Sequence, residues 1–126
     1  MCSLLIHFSK LWSAMSKEPN GFHVLMVPKG DLSRRQSDQL FMDFADSLNE
    51  NRMQSGGGRT NTGSWSLFVE AMPPLYVVSE AQRLTAITWL NSDARVERHA
   101  VSRMLDLHDD ADCAPYSKGG ELSGDI

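Results

Sequence analysis

Apolar residues along this chain recur with two different periods, and the order in which those periods alternate predicts its fold. Phe22 to Val27 is a short apolar run rich in strand-forming residues and closed by Pro28-Lys29-Gly30, which predicts a buried strand followed by a turn. The spacing then changes. Leu40, Phe41, Phe44, Ala45 and Leu48 fall at one-turn intervals behind Ser33 and Gln36, a pair with capping-box spacing. This predicts an amphipathic helix over about 33–50 that ends near Asn49-Glu50-Asn51, where asparagine suits a C-cap. Met53 to Ser55 predicts a brief strand, the glycine-rich run from Gly56 to Gly63 the turn of a hairpin, and Trp65 to Ala71 a longer strand. Beyond Pro73-Pro74 and the apolar Leu75 to Val78, Ser79 and Gln82 repeat the capping-box spacing. Leu84, Ile87, Trp89 and Leu90 then mark a second helix over about 79–92. Val96 to Val101 is the expected last strand, with Met104, Leu105 and Leu107 packing after it.

The order strand, helix, strand, strand, helix, strand predicts an α+β, ferredoxin-like βαββαβ two-layer sandwich. In it, right-handed crossovers put both helices on one face of a four-stranded antiparallel sheet. Residues 21–108 are the expected domain. Residues 1–20 form a leader in which Leu4, Leu5, Phe8, Leu11 and Trp12 stand at helical spacing, a stripe suited to docking on a surface. The leader is too short to span a bilayer and lacks the basic start and long apolar run of a signal peptide. Met15-Ser16-Lys17 resembles an ordinary protein start, so residues 1–14 are read as an over-called extension, as a disordered or docked leader, or as a membrane anchor. Residues 109–126 lack apolar periodicity and are expected to be an acidic, disordered tail. The segment before Met15 and the tail after Asp109 are both expected to be dispensable for folding.

Composition changes this picture little, and charge changes it more. With 126 residues, 41 % hydrophobic and 22 % charged, the chain suits one globular domain without metal or disulfides. Its two cysteines, Cys2 and Cys113, lie in peripheral segments and are read as free thiols, which suits a reducing, cytoplasmic setting. The net charge of −4 belongs to the tail, because the acids and bases between residues 15 and 105 balance one another. A basic patch on the body is therefore compatible with an acidic chain.

No catalytic constellation emerges. Gly58-x4-Gly63-Ser64 has the glycine spacing of a phosphate loop, but Ser64 and Trp65 replace its Lys and Ser/Thr, and a strand follows where a helix is needed. His99, His108 and Cys113 match no zinc spacing, and His7 and His23 are isolated, with His23 read as a hydrogen-bonded sheet residue. No Gly-x-Ser-x-Gly elbow presents a nucleophile. Asp43 with Asp46, and Asp109 with Asp110, read as solvated charges. The expectation is a protein that is not an enzyme and needs no cofactor or metal.

Sheets of this topology also host RNA-recognition motifs, and Gly63 to Val69 superficially matches their third-strand motif. The basic residue is missing from its start, and Trp65, Leu67 and Val69 read as core. Topology offers a better candidate. The end of the first strand, the start of the first helix, the hairpin and the turn after the second helix all meet at one pole. Lys29, Arg34, Arg35, Arg59 and Arg95 fall there with Asp31 and Asp93, a basic end suited to rRNA phosphates.

The body resembles the YggL family of small bacterial proteins, a domain of unknown function associated with the large ribosomal subunit. The resemblance covers roughly residues 21–108. It rests on Gly21-Phe22, Asp43-Phe44, Asn51-Arg52-Met53, Gly56-Gly57-Gly58, Trp65 to Val69, Trp89-Leu90 and Leu105-Asp106 in that order. It implies a cytoplasmic, non-enzymatic partner of the large ribosomal subunit or its rRNA. Family members usually carry an Arg/Lys-rich segment before the first strand, whereas this chain has Ser16 to Asn20 and the apolar leader, and the acidic tail is likewise outside the family pattern. The alternative is a small protein–protein interaction or regulatory module without RNA binding, using the leader or the tail.

Overall fold

In the computed structural model, residues 19–109 and Cys113 are described. Six elements follow one another: β1 (Gly21–Pro28), α1 (Arg34–Glu50), β2 (Met53–Arg59), β3 (Trp65–Ala71), α2 (Glu80–Ser92) and β4 (Val96–Val101). The strands form one antiparallel sheet in the order β2-β3-β1-β4. It follows that β1 runs parallel to β2, and β3 parallel to β4, so each helix crosses over one intervening strand.

Both helices begin as the pattern predicts. The Ser33 hydroxyl accepts from the Gln36 backbone while the Gln36 side chain accepts from Ser33 N–H, and Ser79 and Gln82 repeat the exchange. Two otherwise orphaned donors are satisfied at each start. At the far end of α1, Asn51 caps through its N–H to Leu48 and its side-chain amide to the Ser47 carbonyl. The left-handed residue that turns the chain into β2 is Arg52, with φ 63°.

Alternation along the strands sorts their residues onto two faces. Phe22, Val24, Met26, Met53, Trp65, Leu67, Val69, Ala71 and Val101 form one core with Leu40, Phe44 and Leu48 of α1 and Ala86 and Leu90 of α2. Both helices cover this face and touch each other, with the rings of Phe44 and Trp89 5.1 Å apart. Trp65, Leu67 and Val69 are therefore core residues, as read.

The glycine run corrects the expectation. Gly56-Gly57-Gly58 does not form the hairpin turn. It lies inside β2, opposite Phe68, Leu67 and Ser66, and the turn sits at residues 60–64. Glycine is depleted in strands, which is why the run reads as a turn. At Gly57 the strand needs φ 120°, and a Cβ there would collide with the Ser66 carbonyl oxygen, so glycine is required by the strand itself.

The segment after β4 runs back against the start of β1. Leu105 N–H donates to the Gly21 carbonyl, Leu107 N–H to the Asn20 side chain, and both leucines are buried, matching the expected packing after β4. The cysteine reading is corrected: Cys113 is buried and disulfide-bonded, so it is neither a free thiol nor part of a solvated tail. Sequence separation hid this, since two peripheral cysteines show no spacing signal. Residues 1–18, Cys2 among them, and residues 110–112 and 114–126 of the tail lie outside the described residues. No described helix is long and apolar enough to cross a membrane.

Candidate functional site

The five cations singled out in the sequence do converge on one pole. Lys29 N–H donates to the Arg95 carbonyl at 3.0 Å, joining the end of β1 to the start of β4. A turn from Lys29 to Leu32 leads into the Ser33 cap, which sets Arg34 and Arg35 in the first turn of α1. The hairpin is closed by Thr60 N–H to the Ser64 carbonyl, with the Thr60 hydroxyl accepting from Thr62 and Ser64 N–H, and it brings Arg59 beside α1.

Convergence divides these cations into two kinds. Arg59 donates to Asp38 at 3.0 Å and lies over the Trp65 ring, which stacks on Phe41 and donates from its indole to Ser37. Arg95 grips Asp93 through two nitrogens at 2.9 and 2.8 Å and reaches Asp43 on α1 at 2.9 Å. Hydrogen bonds from Arg95 hold Asp93 below the usual carboxylate range, and those from Gln39 and Arg95 do the same for Asp43. The bond to Asp93 in turn pushes Arg95 upward. These two arginines are structural ties between elements.

Lys29, Arg34 and Arg35 are exposed, and none is ion-paired with a described residue. The sequence count missed Asp38 and Asp43, which stand on α1 about one and two and a half turns from its start. With them, four carboxylates face the five cations, and the unmatched positive charge concentrates on these three residues. A cavity of about 300 Å³ opens at this point, lined by Lys29, Ser33, Arg34, Ser37, Arg59 and Thr62 among others. Cationic side chains, hydroxyls and the positive end of a helix on one concave surface can hold an anionic group.

The face of the sheet turned away from the helices carries a second polar cluster that pattern reading hardly signals. His23 Nε2 and Ser66 Oγ are 2.8 Å apart across β1 and β3, His23 meets Phe68 edge-on at 5.0 Å, and Ser102 Oγ accepts from His23 N–H. His23 is thus a hydrogen-bonded sheet residue, as read. Burial lowers it to about 4, while the same cause raises Glu70, which accepts from Gln54, to about 7. A Ser–His contact is the beginning of nucleophilic machinery. Here Ser66 lies in mid-strand and is buried, at 8 % exposure.

No family model matches this chain, and no curated protein sequence matches it. Among solved structures it is similar to the structured domain of Drosophila melanogaster Boca, with a TM-score of 0.50 and 15 % identity over 67 % of this chain and 97 % of that one. Identity that low relates the folds alone.

Proposed function

We propose that this chain is a non-enzymatic module that binds the large ribosomal subunit or its rRNA through Lys29, Arg34 and Arg35. The observation that carries the reading is the first turn of α1. It holds two arginines and no acid, beside a cavity that also presents Lys29. Cations at the positive end of a helix are unfavourable to the helix itself, so their placement suits an external anion. The resemblance to YggL proteins supplies the ribosome as that anion's source. The ferredoxin-like arrangement is our finer reading of the fold, supported by two crossovers that each join parallel strands around a third.

The test is co-sedimentation with purified large subunits. Replacing Lys29, Arg34 and Arg35 together with Glu should weaken binding at least about tenfold, and wild-type binding should fall steeply with salt. Arg59 and Arg95 are left in place because each ties elements together. Arg98→Glu, on the exposed edge strand β4, is the control and should change little. Unchanged sedimentation of the triple variant, or no wild-type binding at any salt, would sink the reading.

One observation favours a second reading. A disulfide at Cys113 persists in oxidising compartments, whereas the ribosomal reading places the chain in the reducing cytoplasm. A protein–protein interaction module outside the cytosol fits the bond better. Recovery of one defined protein and no RNA in a pull-down of the tagged chain would move it ahead.

A further inference from the structure

The sheet face opposite the helices is sealed without any described element lying over it. His23, Leu25, Ser66, Phe68 and Glu70 all belong to this face and are 0, 4, 8, 6 and 7 % exposed. Their neighbours on β2 are Gly56 and Gly58, which have no side chains to shield them. Leu107 reaches this face only at its Gly21 end, where a Cβ on Gly21 would run into it. Leu25, Phe68, Leu107 and Cys113 are buried, yet none joins the helix-side core. A sheet face left to water would expose much of Leu25 and Phe68.

Two further observations name the cover. Cys113 is disulfide-bonded, and the only other cysteine in the chain is Cys2. Cys113 N–H donates to the Asp109 carbonyl and its disulfide sulfur lies 3.6 Å from the Asp106 carbonyl, so it sits beside Leu107 at the Gly21 edge of this face. A bond from Cys113 to Cys2 would hold the start of the leader at the same edge as the entry to β1, where its end joins the sheet. Between them lies the stripe Leu4, Leu5, Phe8, Leu11 and Trp12, with Lys10 on the opposite side of a helical projection. A helix over those residues is about 13 Å long, roughly half the length of an eight-residue strand, so it can run out over the sheet and return.

We infer that the leader docks as an amphipathic helix across the second face of the sheet, its apolar stripe on Leu25 and Phe68, latched by a Cys2–Cys113 disulfide. The leader is then a third layer of the domain and not a dispensable extension. It also closes the sheet face that RNA-recognition motifs leave open, so the cationic pole stays available for an anionic partner.

The full chain tests this in three ways. Peptide mapping without reductant should recover Cys2 joined to Cys113 within one molecule; a disulfide-linked dimer, or two free thiols, overturns the latch. In isotope-labelled protein, nuclear Overhauser contacts should link the Leu25 methyls or the Phe68 ring to Phe8 and Leu11. Their absence overturns the docking, whatever any variant does. Phe8→Asp should lower the melting temperature by roughly 5–15 °C and raise binding of an apolar dye, while Lys10→Glu leaves both unchanged. Equal melting of Phe8→Asp and wild type overturns the proposal.

Discussion

The two helices start with the same cap and opposite charges. α1 follows its Ser33–Gln36 box with Arg34 and Arg35 and no acid, whereas α2 follows Ser79–Gln82 with Glu80, which complements the helix dipole and pairs with Arg83 at 2.9 Å. Their anchorage differs in the opposite sense. α1 buries Leu40, Phe44 and Leu48, while α2 buries only Ala86 and Leu90 and leaves Leu84 half exposed. The helix with the unfavourable first turn is the one gripped harder by the core. Three large apolar side chains outweigh two misplaced surface charges by several kcal/mol, which leaves that first turn free to carry arginines.

The largest test of this contrast removes the grip. Phe44→Ala should destabilise by about 3–5 kcal/mol, because it opens a cavity against Trp89, whereas Leu84→Ala on α2 should stay within about 0.5 kcal/mol. Urea unfolding reads both. Equal losses would mean that the two helices share the core more evenly than their burial indicates.

The caps come next. Ser33→Ala and Ser79→Ala should each cost about 1 kcal/mol, since each removes the same hydrogen bond to a backbone donor. The partners should differ, because Gln82 also donates to the Asn51 carbonyl at 2.8 Å and ties α2 to the end of α1. Gln82→Ala should therefore be the costlier of the two glutamine replacements in the same assay.

Acid should separate the helices too. α1 is tied to β4 by Asp43 and Arg95, while α2 is tied to the end of β4 by Arg83 donating to the Ser102 carbonyl, a contact without a titrating acceptor. Asp43 and Asp93 have lowered folded values, so they bind fewer protons folded than unfolded. Their stabilisation is present above the ordinary carboxylate value of about 4 and is lost as pH falls through the lowered one. Asp43→Asn should give a shallower fall in stability below about pH 4. A superimposable acid-unfolding curve would show that the tie contributes nothing.

The smallest effect bears most on function. Arg34→Glu or Arg35→Glu should raise stability by about 0.3–1 kcal/mol at low ionic strength and lose that gain in salt, even as anion binding weakens. A stabilised, binding-deficient variant would separate the role of these arginines from folding. A destabilised one would make them structural.

Much of the fold was legible because its signals are local. The periods at Leu40, Phe44 and Leu48, both serine caps, and the runs at Trp65–Ala71 and Val96–Val101 each depend on residues within a turn or a strand of one another. The candidate site was legible by position, since the order of elements alone brings Lys29, Arg34, Arg35, Arg59 and Arg95 to one end. Its charge was not legible. Asp43 reads as a solvated charge, and Asp38 carries no signal of its own, until the fold sets them against Arg95 and Arg59.

By itself, then, the sequence determined the succession of strands and helices, their caps, and the apolar face that the helices cover, because backbone propensity and side-chain periodicity act over a few residues. Only the tertiary structure decided which arginines are neutralised, that Gly56-Gly57-Gly58 extends a strand beyond its apparent turn, that His23 meets Ser66, and that Cys113 is oxidised and buried. Each of these depends on residues far apart in sequence, or on a neighbouring strand that supplies the context a lone segment lacks. The pairing of strands and the packing of layers bring such groups within a few ångströms, where hydrogen bonds and charges act and where no local pattern records them.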